Sequence, residues 1–194
     1  MAILHKGRHE MTPTDILREE HELILAMLDV MSAVCTRMEK SETIEVTSLD
    51  QIIDFIRTFA DKCHHAKEEN VLFPALEAAG FPREGGPVGV MLQEHAMGRE
   101  FVKNMATARD GISRGSDAAG NDFTQNARGY VELLTNHIHK ENNILFVMAE
   151  QRLTPDEVKR VGREFELIER EEIGEGVHER YHSLLHELCD MYLR

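Results

Sequence analysis

Four histidines and two glutamates recur along this 194-residue sequence in a pattern that repeats itself. His64-His65-Ala66-Lys67-Glu68-Glu69-Asn70-Val71-Leu72-Phe73 returns as His137-Ile138-His139-Lys140-Glu141-Asn142-Asn143-Ile144-Leu145-Phe146. Each copy contains a His-x-x-x-Glu pair and follows a Glu-His dipeptide, Glu20-His21 before the first and Glu94-His95 before the second. His21 precedes His64 by 43 residues, and His95 precedes His137 by 42. A neutral imidazole offers one nitrogen lone pair to a transition metal, and a carboxylate can bridge two ions. Four imidazoles and two carboxylates are therefore a ligand set for a pair of metal ions. Mixed nitrogen and oxygen donors favour iron, manganese or zinc over magnesium or calcium. A single His-x-x-x-Glu on a helix is commonly a surface pair. Duplicated apolar neighbours (Val71-Leu72-Phe73, Ile144-Leu145-Phe146) need mean no more than shared core packing, but duplicated polar positions exceed that.

The elements that must position these residues read as helices nearly throughout, with little strand-type alternation. Residues 1–12 read as an N-terminal leader ending in Thr12, which caps a helix begun by Pro13 and Asp15. That helix runs to about Lys40, with Ile16, Leu17, Ile24, Met27, Leu28 and Met31 inward. A second helix covers roughly 47–72 and is expected to break at Phe73-Pro74, leaving a short turn to Gly80. The Gly/Pro-rich stretch 81–87 is a loop. A third helix spans about 88–113 and a fourth about 122–152. Thr154-Pro155-Asp156-Glu157 is a capping box that opens a fifth helix to about Glu172, and a sixth covers roughly 177–192. Long helices joined by short loops pack antiparallel, up-down-up-down. His21 and His95 each lie about 11–12 Å along their helices at 1.5 Å per residue, while the His-x-x-x-Glu pairs sit late in theirs. Antiparallel packing thus brings all four sites to one layer. The expected architecture is all-α: a four-helix bundle over 13–152 with a two-helix extension, 153–194, packed on it.

The formal net charge is −13, from 35 acidic and 22 basic side chains. Such a surface repels phosphate backbones and anionic lipid, which argues against nucleic-acid or membrane partners. No apolar run approaches the ~20 residues of a membrane span, and no secretory signal is evident. Cys35, Cys63 and Cys189 are too few and too scattered for a disulfide framework, so a cytoplasmic protein is expected. Eleven histidines and ten methionines accompany no tryptophan. Methionine suits irregular helical cores.

The combined pattern His21, His64-x-x-x-Glu68, His95, His137-x-x-x-Glu141 resembles the hemerythrin-like (HHE cation-binding) proteins over roughly residues 13–150. The resemblance implies a four-helix bundle holding a non-haem di-iron centre, oxo- or hydroxo-bridged, that meets dioxygen, peroxide or nitric oxide. By the repeat symmetry it implies His21 and His64 on one iron, His95 and His137 on the other, and Glu68 and Glu141 bridging. The same donors also suit zinc or manganese. Oxygen-carrying members have a further histidine one turn after the third-helix ligand, at a position filled here by Arg99. That departure puts reversible oxygen carriage in doubt and places the resemblance with the bacterial-type branch. Tyr130 and Glu94 are the candidates for a replacement ligand, Tyr130 reading better as a pocket wall. Peroxidase- or catalase-like turnover and non-enzymatic sensing through the C-terminal helices, toward a protein partner or within a homodimer, both stay open.

His65 and Glu69 offer a shifted His-x-x-x-Glu, but they align with Ile138 and Asn142. They are therefore expected to face away from the metals or to support the ligands through hydrogen bonds. His178, His182 and His186 recur every four residues beside the apolar face Tyr181, Leu184, Leu185, Leu188 and Tyr192. They read as the rim of a docking surface. Cys63, next to His64, and Cys35 read as small buried hydrophobes. The acidic run 164–175 reads as a solvated face.

Overall fold

The computed structural model describes residues 11–174 and 176–194. The expected leader, apart from Met11 and Thr12, lies outside them. The described residues form helices and no strand. Helix α1 is Pro13–Glu39, and α2 covers residues 46–78. Helix α3 is Pro87–Ser113 and α4 covers 119–152. Helices α5 (155–173) and α6 (Val177–Tyr192) follow. Both Thr-Pro starts are capping boxes: Thr12 accepts from Asp15 N and Thr154 from Glu157 N, while each acid accepts from the cap backbone. Among the described residues no helix is long and apolar enough to cross a membrane.

Two features depart from the expected helices. First, α2 and α4 are not regular. Helix α2 is π-helical over Ile56–His65 and Glu68–Leu72, and α4 over Glu141–Leu145. The Phe73 N–H reaches back to Glu68 O, and Phe146 N–H to Glu141 O, so a wide turn opens on each motif glutamate. Such turns concentrate at functional sites. Secondly, α2 does not break at Pro74. That residue stands in the first turn of the α-helical segment Phe73–Ala78, directly after the wide turn. A missing N–H costs least there.

Apolar side chains form two clusters along the bundle axis. One gathers Ile24, Met27 and Met31 of α1, Phe55 and Phe59 of α2, Val102 and Met105 of α3, and Phe123 and Leu134 of α4. The other gathers Leu17, Leu72, Phe73, Met91, Leu145 and Phe146. On every bundle helix the motif residues fall between the two. The C-terminal helices divide the same way: α6 adds Tyr181, Leu185, Leu188 and Tyr192 to the first cluster, and α5 adds Val161, Phe165 and Ile168 to the second. Helices α3 and α4 approach closely at Gly129, where a Cβ would lie 2.6 Å from the Phe101 ring.

Candidate metal centre

His21, His64, His95 and His137 come from α1, α2, α3 and α4 into one layer between the apolar clusters. Each is at most 1% exposed, and Glu68 and Glu141 are wholly buried. The donor atoms fall into two groups, each within 4.8 Å: His21, His64, Glu68 and Glu141 in one, and His65, Glu68, His95 and His137 in the other. The carboxylates lie between the histidine pairs. Glu141 Oε2 is 3.2 Å from both His21 Nε2 and His137 Nε2. Glu68 Oε1 is 3.6 Å from His64 Nε2, and its Oε2 is 3.4 Å from His95 Nε2. His95 Nε2 and His137 Nε2 stand 3.0 Å apart. Two nitrogens bound at right angles to one ion, each about 2.1 Å from it, would be separated by about 3.0 Å.

Every ring is held from behind. His21 Nδ1 donates to Asn142 Oδ1 (2.9 Å), His64 Nδ1 to Glu20 Oε2 (2.9 Å), and His95 Nδ1 to Glu69 Oε1 (2.7 Å). His137 Nδ1 donates to Glu94 Oε2 at 2.9 Å. In a neutral ring, a proton fixed on Nδ1 leaves the inward Nε2 its lone pair, the form a metal ligand needs; His137 reaches that form on losing the extra proton that Glu141 and Glu94 hold on it. The outer partners follow the repeat. Glu20 and Glu94 also take the ammonium groups of Lys67 and Lys140, three residues after each motif histidine. Glu69 and Asn142, each following a motif glutamate, hold the upstream histidine of the other half.

His65 breaks that symmetry and corrects the expectation that it faces away or only supports the ligands. It is 3% exposed, stacks on His95 with ring centroids 3.8 Å apart, and brings its Nε2 into the second donor group. Its Nδ1 donates to Asp61 at 3.3 Å, and Asp61 also binds Arg99. The aligned positions in the other half are Ile138, Leu134 and Leu25, all apolar. The wide turn ending at His65 is the physical reason. Successive residues advance by less than the α-helical 100° there, so His64 and His65 both face the centre.

The remaining candidates do not enter the donor groups. Arg99 turns outward to Asp61 and Glu69. Glu94 stands behind His137. Tyr130 and His65 line a cavity of about 260 Å³ with Ile56, Asp61, Gly98 and Arg99, which approaches the centre from one side. On α6, His182 and His186 are exposed. His178 instead reaches Cys63 Sγ at 3.5 Å.

Burial drives His64 down to about 4 and lowers His65 and His95, so these rings are neutral at pH 7. Burial acts the same way on His137, but Glu141 beside it and Glu94 behind it outweigh burial and hold it at about 9. Burial and the Glu141 charge push Glu68 well up. Burial would do the same to Glu141, were His137 not holding it ionised. Among the described residues, His21 Nε2, His65 Nε2 and both oxygens of Glu68 and of Glu141 have no hydrogen-bond partner. Proteins seldom bury such groups together, and divalent cations are what would satisfy them at once.

Sequence reasoning missed His65 as an inward donor. The outer partners left a signal, since Glu20, Lys67, Glu94 and Lys140 all belong to the repeat.

Residues 12–149 match the family described as the Hemerythrin HHE cation binding domain. An uncharacterised protein of Mycobacterium tuberculosis is 22% identical over 195 residues, which cover 96% of this chain and 74% of that protein. The iron-sulfur cluster repair protein YtfE of Musicola paradisiaca is 35% identical over 89 residues, 44% of this chain and 40% of its own length. A probable iron-sulfur cluster repair protein of Haemophilus influenzae is 29% identical over 85 residues, 43% of this chain and 38% of its own. No solved structure matches the chain.

Proposed function

The chain belongs to the hemerythrin HHE cation-binding family, and from that premise we propose that it holds a non-haem di-iron centre which binds or turns over dioxygen, peroxide or nitric oxide. In this reading His21 and His64 hold one ion. His95 and His137 hold the other, with His65 in place of the imidazole that position 99 lacks. Glu68 and Glu141 would be shared between the two positions. The observation that carries the reading is the convergence of unpartnered, buried imidazole nitrogens and carboxylate oxygens on one dry layer. When bound, the metal pair would supply adjacent Lewis-acidic, redox-active centres for a small ligand.

The chain's own residues would supply the rest. Glu20, Glu69, Glu94, Asp61 and Asn142 hold the Nδ1 protons and aim the rings. The two apolar clusters exclude water from both sides of the layer. Ile138, the counterpart of His65, offers no donor, so an ion held by His21 and His64 would have one protein ligand fewer and could take an outside ligand. Similarity to proteins named for iron-sulfur cluster repair supports iron over zinc or manganese, and the physiology we propose with it is a response to oxidative or nitrosative stress.

Metal content per chain tests this, measured by mass spectrometry on protein from iron-replete cells beside the double variant His64→Ala/His137→Ala. About two irons per chain, lost in the variant, are expected. Negligible native metal, or full retention by the variant, would overturn the reading. Peroxide consumption above the rate of free iron then separates turnover from sensing. A sensor reading, in which the metals signal through α5 and α6, is favoured by one observation: Glu169 of α5 reaches Lys67 beside the centre.

A further inference from the structure

The two halves of the centre are alike in sequence but not in what stands behind them. Glu20 accepts from His64 through one oxygen and takes the Lys67 ammonium on the other. Lys67 is wholly buried. The same ammonium reaches Glu169 Oε1 at 2.5 Å, and Phe165 of α5 lies beneath it, its ring centroid 6.0 Å away. His178 of α6 closes the cluster, its Nε2 3.4 Å from Glu169 Oε1 and 3.7 Å from Glu20 Oε1. This junction falls where α5 and α6 leave one apolar cluster for the other, level with the metal layer. In the second half Glu94 repeats the role of Glu20 behind His137, and Lys140 repeats Lys67. The Lys140 side chain, however, is 34% exposed, and among the described residues it pairs with Glu94 rather than with a group from α5 or α6.

Donor atoms of Glu20, Cys63, Glu169 and His178 lie within 4.8 Å of one another, close enough for a metal ion. Lys67 already provides the cation between Glu20 and Glu169, which leaves no place for one. The cluster acts instead on His64. An imidazole donates more strongly through Nε2 the more negative the carboxylate behind its Nδ1–H. An ammonium shared between two carboxylates draws less charge from each than one held by a single partner. Docked α5 therefore leaves Glu20 freer to polarise His64. Among the described residues nothing in the second half answers to it.

We propose that Lys67 and Glu169 are positioning residues through which docked α5 strengthens the His21–His64 metal position, leaving the His95–His137 position unaffected. The proposal rests on the two-metal reading above and adds a directional regulation to it.

Glu169→Gln tests it in the full-length, iron-loaded chain. The residue is 42% exposed at its side chain and the substitution keeps its shape, so circular dichroism should match the native protein. Two readouts are taken: the rate at which a chelator removes each iron equivalent, and the ⁵⁷Fe Mössbauer spectrum. One equivalent should leave about ten-fold faster, the size usual for a lost ligand-orienting contact, while the other keeps its native rate. One quadrupole doublet should move and the other stay. Glu169→Ala, removing the contact by a different shape change, should repeat the result, and Lys140→Met should disturb the opposite position. Native rates for both equivalents in both Glu169 variants, or equal acceleration of both, would overturn the proposal. Failure of the two-metal reading would show earlier and differently, as fewer than two equivalents in the native chain.

Discussion

Replacing Glu68 by methionine should stabilise the metal-free chain and destabilise the loaded one. Glu68 is wholly buried, and neither oxygen has a hydrogen-bond partner among the described residues. Burial and Glu141 push it toward its neutral form, which moderates the cost without removing it. A buried polar group left unpaired costs about 1–3 kcal/mol, so a methionine of similar volume should recover about 2 kcal/mol. A chain of this size gains roughly 2–4 °C in melting temperature per kcal/mol, giving an increase of about 4–8 °C. Metal reverses the order. At a hundred times its dissociation constant, a bound ion adds about 2.7 kcal/mol to the native protein, and the variant, lacking the shared carboxylate, should gain far less. Calorimetry on chelator-stripped samples, with and without ferrous iron under anaerobic conditions, reads both arms. The reasoning fails if stripped Glu68→Met melts below the stripped native chain, since Glu68 would then be satisfied without metal.

Three further outcomes follow from the site. His65→Ile, which copies the second half at Ile138, should weaken one metal equivalent by on the order of ten-fold or more and leave the other intact; unchanged retention of both would remove His65 from the ligand set. Arg99→Ala should keep both metals and shift the melting temperature by no more than about 4 °C, because exposed ion pairs are worth about 0–1 kcal/mol; loss of metal would contradict its outward placement. The C-terminal junction should depend on pH. Cys63 and Glu169 raise His178 from 6.5 to about 10, so its contribution is complete below pH 6.5 and disappears as pH rises through 10. His178 and Lys67, against burial, lower Glu169 from 4.5 to about 2, so its contribution is present above 4.5 and disappears as pH falls through 2. Limited proteolysis within 153–194 should be slowest between about pH 4.5 and 6.5 and quicken on both sides; fastest cleavage inside that window would refute the assignment.

The helices were legible because their apolar spacing and Thr-Pro caps are local signals, and the four histidines and two glutamates because a repeat exposes polar positions that packing alone does not duplicate. His65 was not. Its aligned partner is Ile138, and α-helical spacing turns it away from His64. Only the wide turn over Ile56–His65 brings both inward, and such turns carry no propensity signature in the residues that form them. Pro74 misled for the same reason, since the turn before it supplies the place where its missing N–H does no harm. The role of Lys67 was hidden differently. Its copy Lys140 is visible in the repeat, but the burial that separates the two is imposed by Glu169, 102 residues away.

The hydrogen bonds behind each imidazole have a consequence for how the chain takes up metal. Asp61, Asn142 and the three glutamates Glu20, Glu69 and Glu94 immobilise the rings whether or not an ion is present, and the apolar clusters on either side do not depend on one. The conformational entropy of assembling the donors is thus lost when the chain folds, not when metal arrives. Unlike a zinc finger, which is unfolded without its ion, this bundle should surrender metal to a chelator with its helix content intact. It should then take metal back at a rate set by desolvation of the ion and passage into the layer, with no refolding step between.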